Sequence, residues 1–177
     1  MILSDSVVTL RPLSFSDKFR LVEIANNKNI SDNLRDGFPN PYMLANAESF
    51  IANVSKADPP EVFAIVWNGE YVGNIGLHKG TDVYRKSAEV GYFLGEPYWN
   101  KGIMPRAVNL ICEYGFRELD IVRIHAGIFE FNPSSMRVLE KCGFRREAIF
   151  KNAVFKNGKI CDEYRYVKLL DEQNDSN

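Results

Sequence analysis

The chain has 177 residues, with 22 Lys and Arg against 23 Asp and Glu and a formal net charge of -1. That balance excludes a global electrostatic pull toward nucleic acid or an anionic membrane, so an anionic ligand has to be gripped locally. Hydrophobic residues at 45% and charged residues at 25% are ordinary for a globular chain long enough to bury one core. The three cysteines, Cys112, Cys142 and Cys161, match no metal spacing and fit a reducing compartment. Residues 1–10 lack the apolar core of a signal peptide and no run approaches a membrane span, so the expected location is the cytoplasm.

Taken in order, Val7 to Leu13 alternates enough to predict a first strand. Ser14-Phe15-Ser16-Asp17 reads as a capping box, an oxygen-bearing cap followed three residues later by an acid, and a helix follows to Ala25. Asn26 to Tyr42 is polar and irregular but carries Arg35, Asp36, Phe38 and Tyr42. Aromatics and charges on a loop are the material of a pocket wall, although a surface connection with a small hydrophobic cluster fits the same residues. A second helix is predicted from Leu44 to Ser55, closed by Asp58-Pro59-Pro60. Glu61 to Trp67 and Glu70 to His78 flank Asn68-Gly69, a hairpin signal because Asn-Gly supplies the positive φ angles of a tight turn.

The chain is organised around Ala88 to Val108, read as strand, loop and helix start. Pro105 is expected at the first helical position, where its missing N–H costs nothing. Ala107, Leu110, Ile111 and Tyr114 continue at helical spacing, with Cys112 inside the same helix as a small core residue. A loop entering a helix N-terminus presents free N–H groups and partial positive charge, which makes an anion site. Gly102 allows close backbone approach, and Lys101 and Arg106 are either phosphate contacts or solvated side chains. Ile121 to Glu130 is a further strand, reached through a helix and so expected parallel to the central one. Asn132 caps a short helix with Pro133 at its first position, and Cys142-Gly143 ends it. A second Asn-Gly hairpin, at Asn157-Gly158, joins the last two strands.

The order β-α-α-β-β-β-α-β-α-β-β predicts an α/β fold. It is a mixed, mostly antiparallel sheet, with a central parallel pair that splays beside the anion-binding helix start and helices flanking it. Residues 1–170 are expected to form one domain and residues 171–177 a polar, frayed tail. His78 and His125 make neither a metal site nor a triad, and no Walker loop or zinc spacing occurs.

Five pieces in this order resemble the GCN5-related N-acetyltransferase (GNAT) superfamily, and within it the Rim-type branch that acetylates ribosomal-protein N-termini. They are Asn33 to Asp36 with Phe38 to Tyr42, Glu89 to Leu94, Tyr98 to Met104, Asn132 to Ser135, and Val138 to Phe144. The resemblance spans Val7 to Leu170. It implies acetyl-CoA as donor and a primary amine as acceptor, a protein N-terminal α-amine in the Rim-type branch, by direct attack in a ternary complex. The family loop is Arg/Gln-x-x-Gly-x-Gly/Ala. Trp99, Gly102 and Met104 stand at those places, so only the middle glycine matches. Backbone N–H groups, including those of Ile103 and Met104, do the binding, so the departure costs little.

The resemblance places the reaction centre at Gly91. Strand alternation puts Glu89 on the same face, as the base candidate; the bland alternative is a solvated carboxylate paired with Arg85 or Lys86. Backbone groups of Phe93 and Leu94 are expected to pair with the pantetheine amides as an added strand. Asn132, besides capping, is compatible with a bond to the same arm. Many relatives carry a thiolate-protonating Tyr where this chain has Leu139, and the Rim-type branch points instead to Ser135. Arg35, Phe38, Tyr42 and Tyr92 are the acceptor-side candidates. An α-amine of pKa near 8 is roughly 10% neutral at pH 7, whereas deprotonating a lysine amine costs about 4.6 kcal/mol, so an N-terminal acceptor demands less of the base. Two other readings stand beside this one: a non-catalytic acyl-CoA-binding sensor, and an enzyme for small amines such as polyamines. Strand edges leave monomer and homodimer both open.

Overall fold

The computed structural model describes residues 1–170, and the expected tail at 171–177 lies outside them. The strands are β1 (Leu3–Ser4), β2 (Val8–Pro12), β3 (Val62–Trp67), β4 (Glu70–Lys79), β5 (Ser87–Leu94), β6 (Arg123–Phe129), β7 (Arg145–Lys156) and β8 (Lys159–Leu169). The helices are α1 (Lys18–Ala25), α2 (Lys28–Ser31), α3 (Leu44–Val54), α4 (Ile103–Glu118) and α5 (Pro133–Lys141). One sheet runs β1-β2-β3-β4-β5-β6-β8-β7, antiparallel throughout except for β5 and β6. Two elements are additions to the sequence reading. They are β1, with two residues, and α2, with four, both too short to leave a periodic pattern.

Local chemistry accounts for most boundaries. Both Asn-Gly turns take positive φ at each central residue, 51° and 80° at Asn68 and Gly69, 51° and 76° at Asn157 and Gly158. Ser14 and Asp17 form the expected capping box, but it opens a 3-10 turn (Phe15–Asp17) before α1. The start of α4 differs from expectation. Gly102, at φ 73°, is the N-cap and turns the chain into the helix at Ile103, so Pro105 is the third helical residue. Its N–H would have no partner there either, which is why the proline is tolerated.

Helices cover both sheet faces. On one, α4 packs so closely that a Cβ at Gly115 would lie 2.5 Å from Leu77 Cδ1; Ile75, Leu77, Val90, Ile124, Ala126 and Ile111 form the main core there. On the other, α1 and α3 close a second cluster of Leu21, Ile24, Ala47, Ile51, Ala64 and Tyr71. Phe38 and Phe93 pack against this second cluster, whereas Tyr92 packs against the first. Successive side chains of β5 thus point to opposite faces, as strand geometry requires.

Candidate active site

The parallel pairing of β5 with β6 covers three residue pairs, Ser87 with Arg123, Ala88 with Ile124 and Glu89 with His125, and then stops. Beyond it β5 stays with β4 through Leu94, and β6 stays with β8 through Phe129. The two strands part and open a slot through the sheet. Hydrogen-bond parity identifies the groups that face it. Gly80 N–H donates to Ser87 O at 2.8 Å and Gly95 N–H to Val72 O at 2.9 Å, so the odd-numbered residues of β5 are committed to β4. Val90, Tyr92 and Leu94 therefore turn their amides to the gap. The expectation that Phe93 pairs there is corrected by one residue: its backbone bonds Asn74, and Tyr92 and Leu94 hold the free edge. Trp99 Nε1 already donates to Leu94 O at 2.7 Å.

The slot lies within a cleft of ≈ 980 Å³. On the α4 and α5 face, two helix N-termini converge on it. The first is built by Asn100 to Pro105, with Lys101 Nζ 5.2 Å from the Trp67 ring centroid. The second is built by Asn132 to Ser135, where Asn132 Oδ1 accepts from Ser135 N at 3.2 Å as the expected cap. Two dipoles and two sets of free N–H groups at one mouth favour a ligand rich in negative charge. A Cβ at Gly102 would meet nothing within 4 Å, so the approach over that residue is open. Arg106 does not line the cleft; its guanidinium bonds Asp5 Oδ2 at 2.9 Å, since helical rotation carries it to the β1 side. Arg137 and Lys141, which sequence reading passed over, do line it. Arg137 and Lys141 follow Pro133 by four and eight residues, which puts them on that residue's helix face, a legible signal.

Ser135 is 9% exposed, and its Oγ lies 2.7 Å from the Tyr92 hydroxyl. Burial pushes the Tyr92 phenol up despite that bond, so the phenol stays protonated. Tyr92 was expected among the acceptor contacts. The alternation of β5 puts it on the opposite face, behind Ser135.

On the α1 and α3 face, the connection after α2 covers the slot. Phe38 packs tilted against Tyr42 at 5.1 Å and edge-to-face against Phe93 at 5.5 Å between ring centroids. Tyr42 is 4% exposed and forms wall, not rim. Arg35 NH2 meets Glu89 Oε1 at 2.5 Å, so the carboxylate is paired by a residue of this loop and not by Arg85 or Lys86. Lys156 and Asn157, at the tip of the β7–β8 hairpin, bond Asp36 and Asp32 and hold the connection in place. Register also sets both histidines beside Glu89, His78 on β4 and His125 on β6. Burial lowers the His125 pKa; Glu89 raises it and Arg165 and Arg123 lower it further. Asn46, Ser49 and Asn53 add a polar stripe from α3 at helical spacing, also missed in sequence. Among the described residues lining the cleft, Glu89 is the one carboxylate.

A split parallel pair with a helix N-terminus at its mouth is the arrangement expected of the resembled family, and comparison decides it. The acetyltransferase (GNAT) domain family matches residues 8–145. The chain belongs to that family. An N-acetyltransferase from Bacillus subtilis, YnaD, itself described as uncharacterized, is 32% identical over 169 residues, 93% of this chain and 95% of its own. The spermidine N(1)-acetyltransferase of Escherichia coli is 28% identical over 159 residues, covering 89% and 83%. Among solved structures, the ribosomal alpha-N-protein acetyltransferase RimL in complex with coenzyme A superposes with a TM-score of 0.86 over 97% of this chain and 99% of its own, at 20% identity, a likeness of fold. This GNAT chain is accordingly an enzyme, not a sensor alone, and acetyl-CoA is its co-substrate. The site fits that donor, with N–H groups and cationic side chains at one end of the slot and a free strand edge along it. No helix among the described residues is long and apolar enough to cross a membrane.

Proposed function

We propose that this GNAT enzyme acetylates the α-amine of a protein or peptide N-terminus, as the Rim-type branch does. One observation carries the choice of acceptor: the Arg35–Glu89 ion pair leaves the acceptor side of the cleft without an uncompensated carboxylate. A polyamine needs several such carboxylates to replace its water. An α-amine needs only a seat and a modest base.

The pantetheine arm lies along the free edge of Tyr92 and Leu94 and beside Asn132, and the phosphates lie over Gly102, Ile103 and Met104 with Lys101 near. The amine enters from the face of Arg35, Phe38 and Tyr42. Its nitrogen attacks the thioester carbon and the carbonyl oxygen takes the electron pair. The amine proton passes to Glu89, directly or through one water, while Arg35 holds Oε1. The tetrahedral intermediate collapses by breaking C–S. With Tyr92 as the donor in its 2.7 Å bond to Ser135 Oγ, the seryl hydrogen is left to be directed at the departing thiolate. A thiolate leaves readily, so this donor is worth little: Ser135→Ala is expected to lower kcat only about tenfold, the worth of one hydrogen bond, with the KM for acetyl-CoA unchanged. Steady-state kinetics of the variant checks it; a fall beyond about a thousandfold would instead make Ser135 an obligatory acid.

Thiol release from acetyl-CoA, followed with N-terminal peptides, spermidine and free amino acids, tests the acceptor class. Release with free-amine peptides and none with N-blocked ones is the expected result. Faster turnover of spermidine than of every peptide would overturn it.

A further inference from the structure

Among the described residues, two buried side-chain polar atoms lack a hydrogen-bond partner, Asn33 Oδ1 and Asn74 Nδ2, and both residues line the cleft. Buried polar groups are almost always paired, and leaving one unpaired costs about 1–3 kcal/mol, so orphans concentrated at one cleft mark where a ligand completes the structure. The other half of each amide fixes its direction. Tyr71 OH donates to Asn74 Oδ1 at 2.8 Å, and that bond occupies the oxygen end of the amide. Asn33 Nδ2 donates to Asn29 O at 2.9 Å. What is left over is one N–H donor, on β4, and one oxygen acceptor, on the connection that covers the same face.

Asn74 is 4% exposed and lies directly across from Phe93, on the face where Phe38 meets that ring edge-to-face. It sits beside the seat of the incoming amine, not on the α4 and α5 side where the donor enters. The two orphans ask for different things. Asn33 Oδ1 takes any N–H. Asn74 Nδ2 takes only an acceptor, and an ammonium-bearing chain of methylenes has none to offer. A peptide N-terminus supplies both, with a carbonyl oxygen on its first residue and an N–H on its second, pointing opposite ways across a trans peptide bond.

We propose that Asn74 and Asn33 read the first peptide bond of the acceptor, Asn74 Nδ2 donating to the carbonyl of residue one and Asn33 Oδ1 accepting the N–H of residue two. They are specificity-determining residues. They select an amine with a peptide bond one carbon away, and they reject polyamines and simple alkylamines by leaving Asn74 unpaired. This deepens the proposed function and rests on it.

The experiment measures kcat/KM for a free-amine tripeptide amide, the same peptide N-methylated at its first peptide bond, and n-butylamine, with wild-type enzyme, Asn74→Ala and Asn33→Ala. Wild type should prefer the plain peptide to the N-methylated one by about tenfold, one neutral hydrogen bond, and Asn33→Ala should abolish that preference. Asn74→Ala should cost the plain peptide about tenfold or more while leaving n-butylamine and the KM for acetyl-CoA within about twofold. Equal losses on peptide and n-butylamine would make Asn74 a packing residue and overturn the proposal. So would indifference of the wild type to N-methylation, a measurement that needs no variant to fold. If wild-type enzyme turns over n-butylamine but no peptide, the proposed function falls as well. That failure shows in the wild-type measurements alone, before any asparagine is changed.

Discussion

Glu89→Gln is expected to lower kcat for a peptide α-amine by about a hundredfold, the ordinary contribution of a positioned general base. The substitution keeps the size and one oxygen of the side chain and removes its capacity to hold a proton. It also releases Arg35, but that guanidinium side chain is 69% exposed and water replaces its partner, so stability changes little. The KM for acetyl-CoA should not move, because Glu89 lies on the acceptor face of the slot, away from the helix N-termini. Raising the pH through the α-amine's pKa of about 8 should return part of the lost rate, since the amine then arrives neutral. Stopped assays of thiol release across pH read both effects. A variant within about twofold of wild type at neutral pH would remove Glu89 from the mechanism and return it to the role of an ion-pair partner.

Gly102→Glu should act on the other substrate. It sets a carboxylate at the N-terminus of α4, in the open space where a Cβ meets nothing. For the helix alone the change is mildly destabilising, by about 1 kcal/mol. An acid at a helix N-terminus adds about 0.3–1 kcal/mol, and the left-handed φ of 73° costs a residue with a side chain about 1–2 kcal/mol. For a phosphate-bearing ligand it is repulsive at the place where free N–H groups attract. Calorimetry should show the Kd for acetyl-CoA rising about thirtyfold, some 2 kcal/mol, with Tm lower by only about 2–4 °C. Gly102→Ala, carrying the strain without the charge, should shift the Kd far less. Equal effects of the two variants would mean that backbone conformation, not charge, governs the site, and no effect of either would place the phosphates elsewhere.

Much of the site was legible as residue types but not as contacts. Ser135, Asn132, Gly102 and Lys101 line the cleft as their positions at two helix starts predict. Arg106 shares the same helix start and yet bonds Asp5, 101 residues away in the chain, a contact no local pattern encodes. Tyr92 and Phe93 are neighbours in sequence, and period-two alternation sends one to Ser135 and the other to Phe38. Choosing which is which requires knowing the face each helix covers. The α3 stripe and the Arg137–Lys141 face were readable at helical spacing; what hid them was that nothing in the sequence says which face of a helix looks into a cleft.

By itself, the sequence determined the longer elements and their order, though not the two-residue β1 or the four-residue α2, because capping oxygens, Asn-Gly turns and apolar periodicity act within a few residues. It also determined the kind of site, since a loop entering a helix presents free N–H groups whatever surrounds it. Only the tertiary structure decided where β5 and β6 part, because strand pairing is a long-range register that ends where β4 and β8 draw the two strands away. It alone joined Arg35 to Glu89, 54 residues apart, and so paired the carboxylate that lines the cleft. It alone left Asn74 and Asn33 buried and unsatisfied. An unpaired polar atom is defined by everything packed around it, and that is information a linear pattern does not hold.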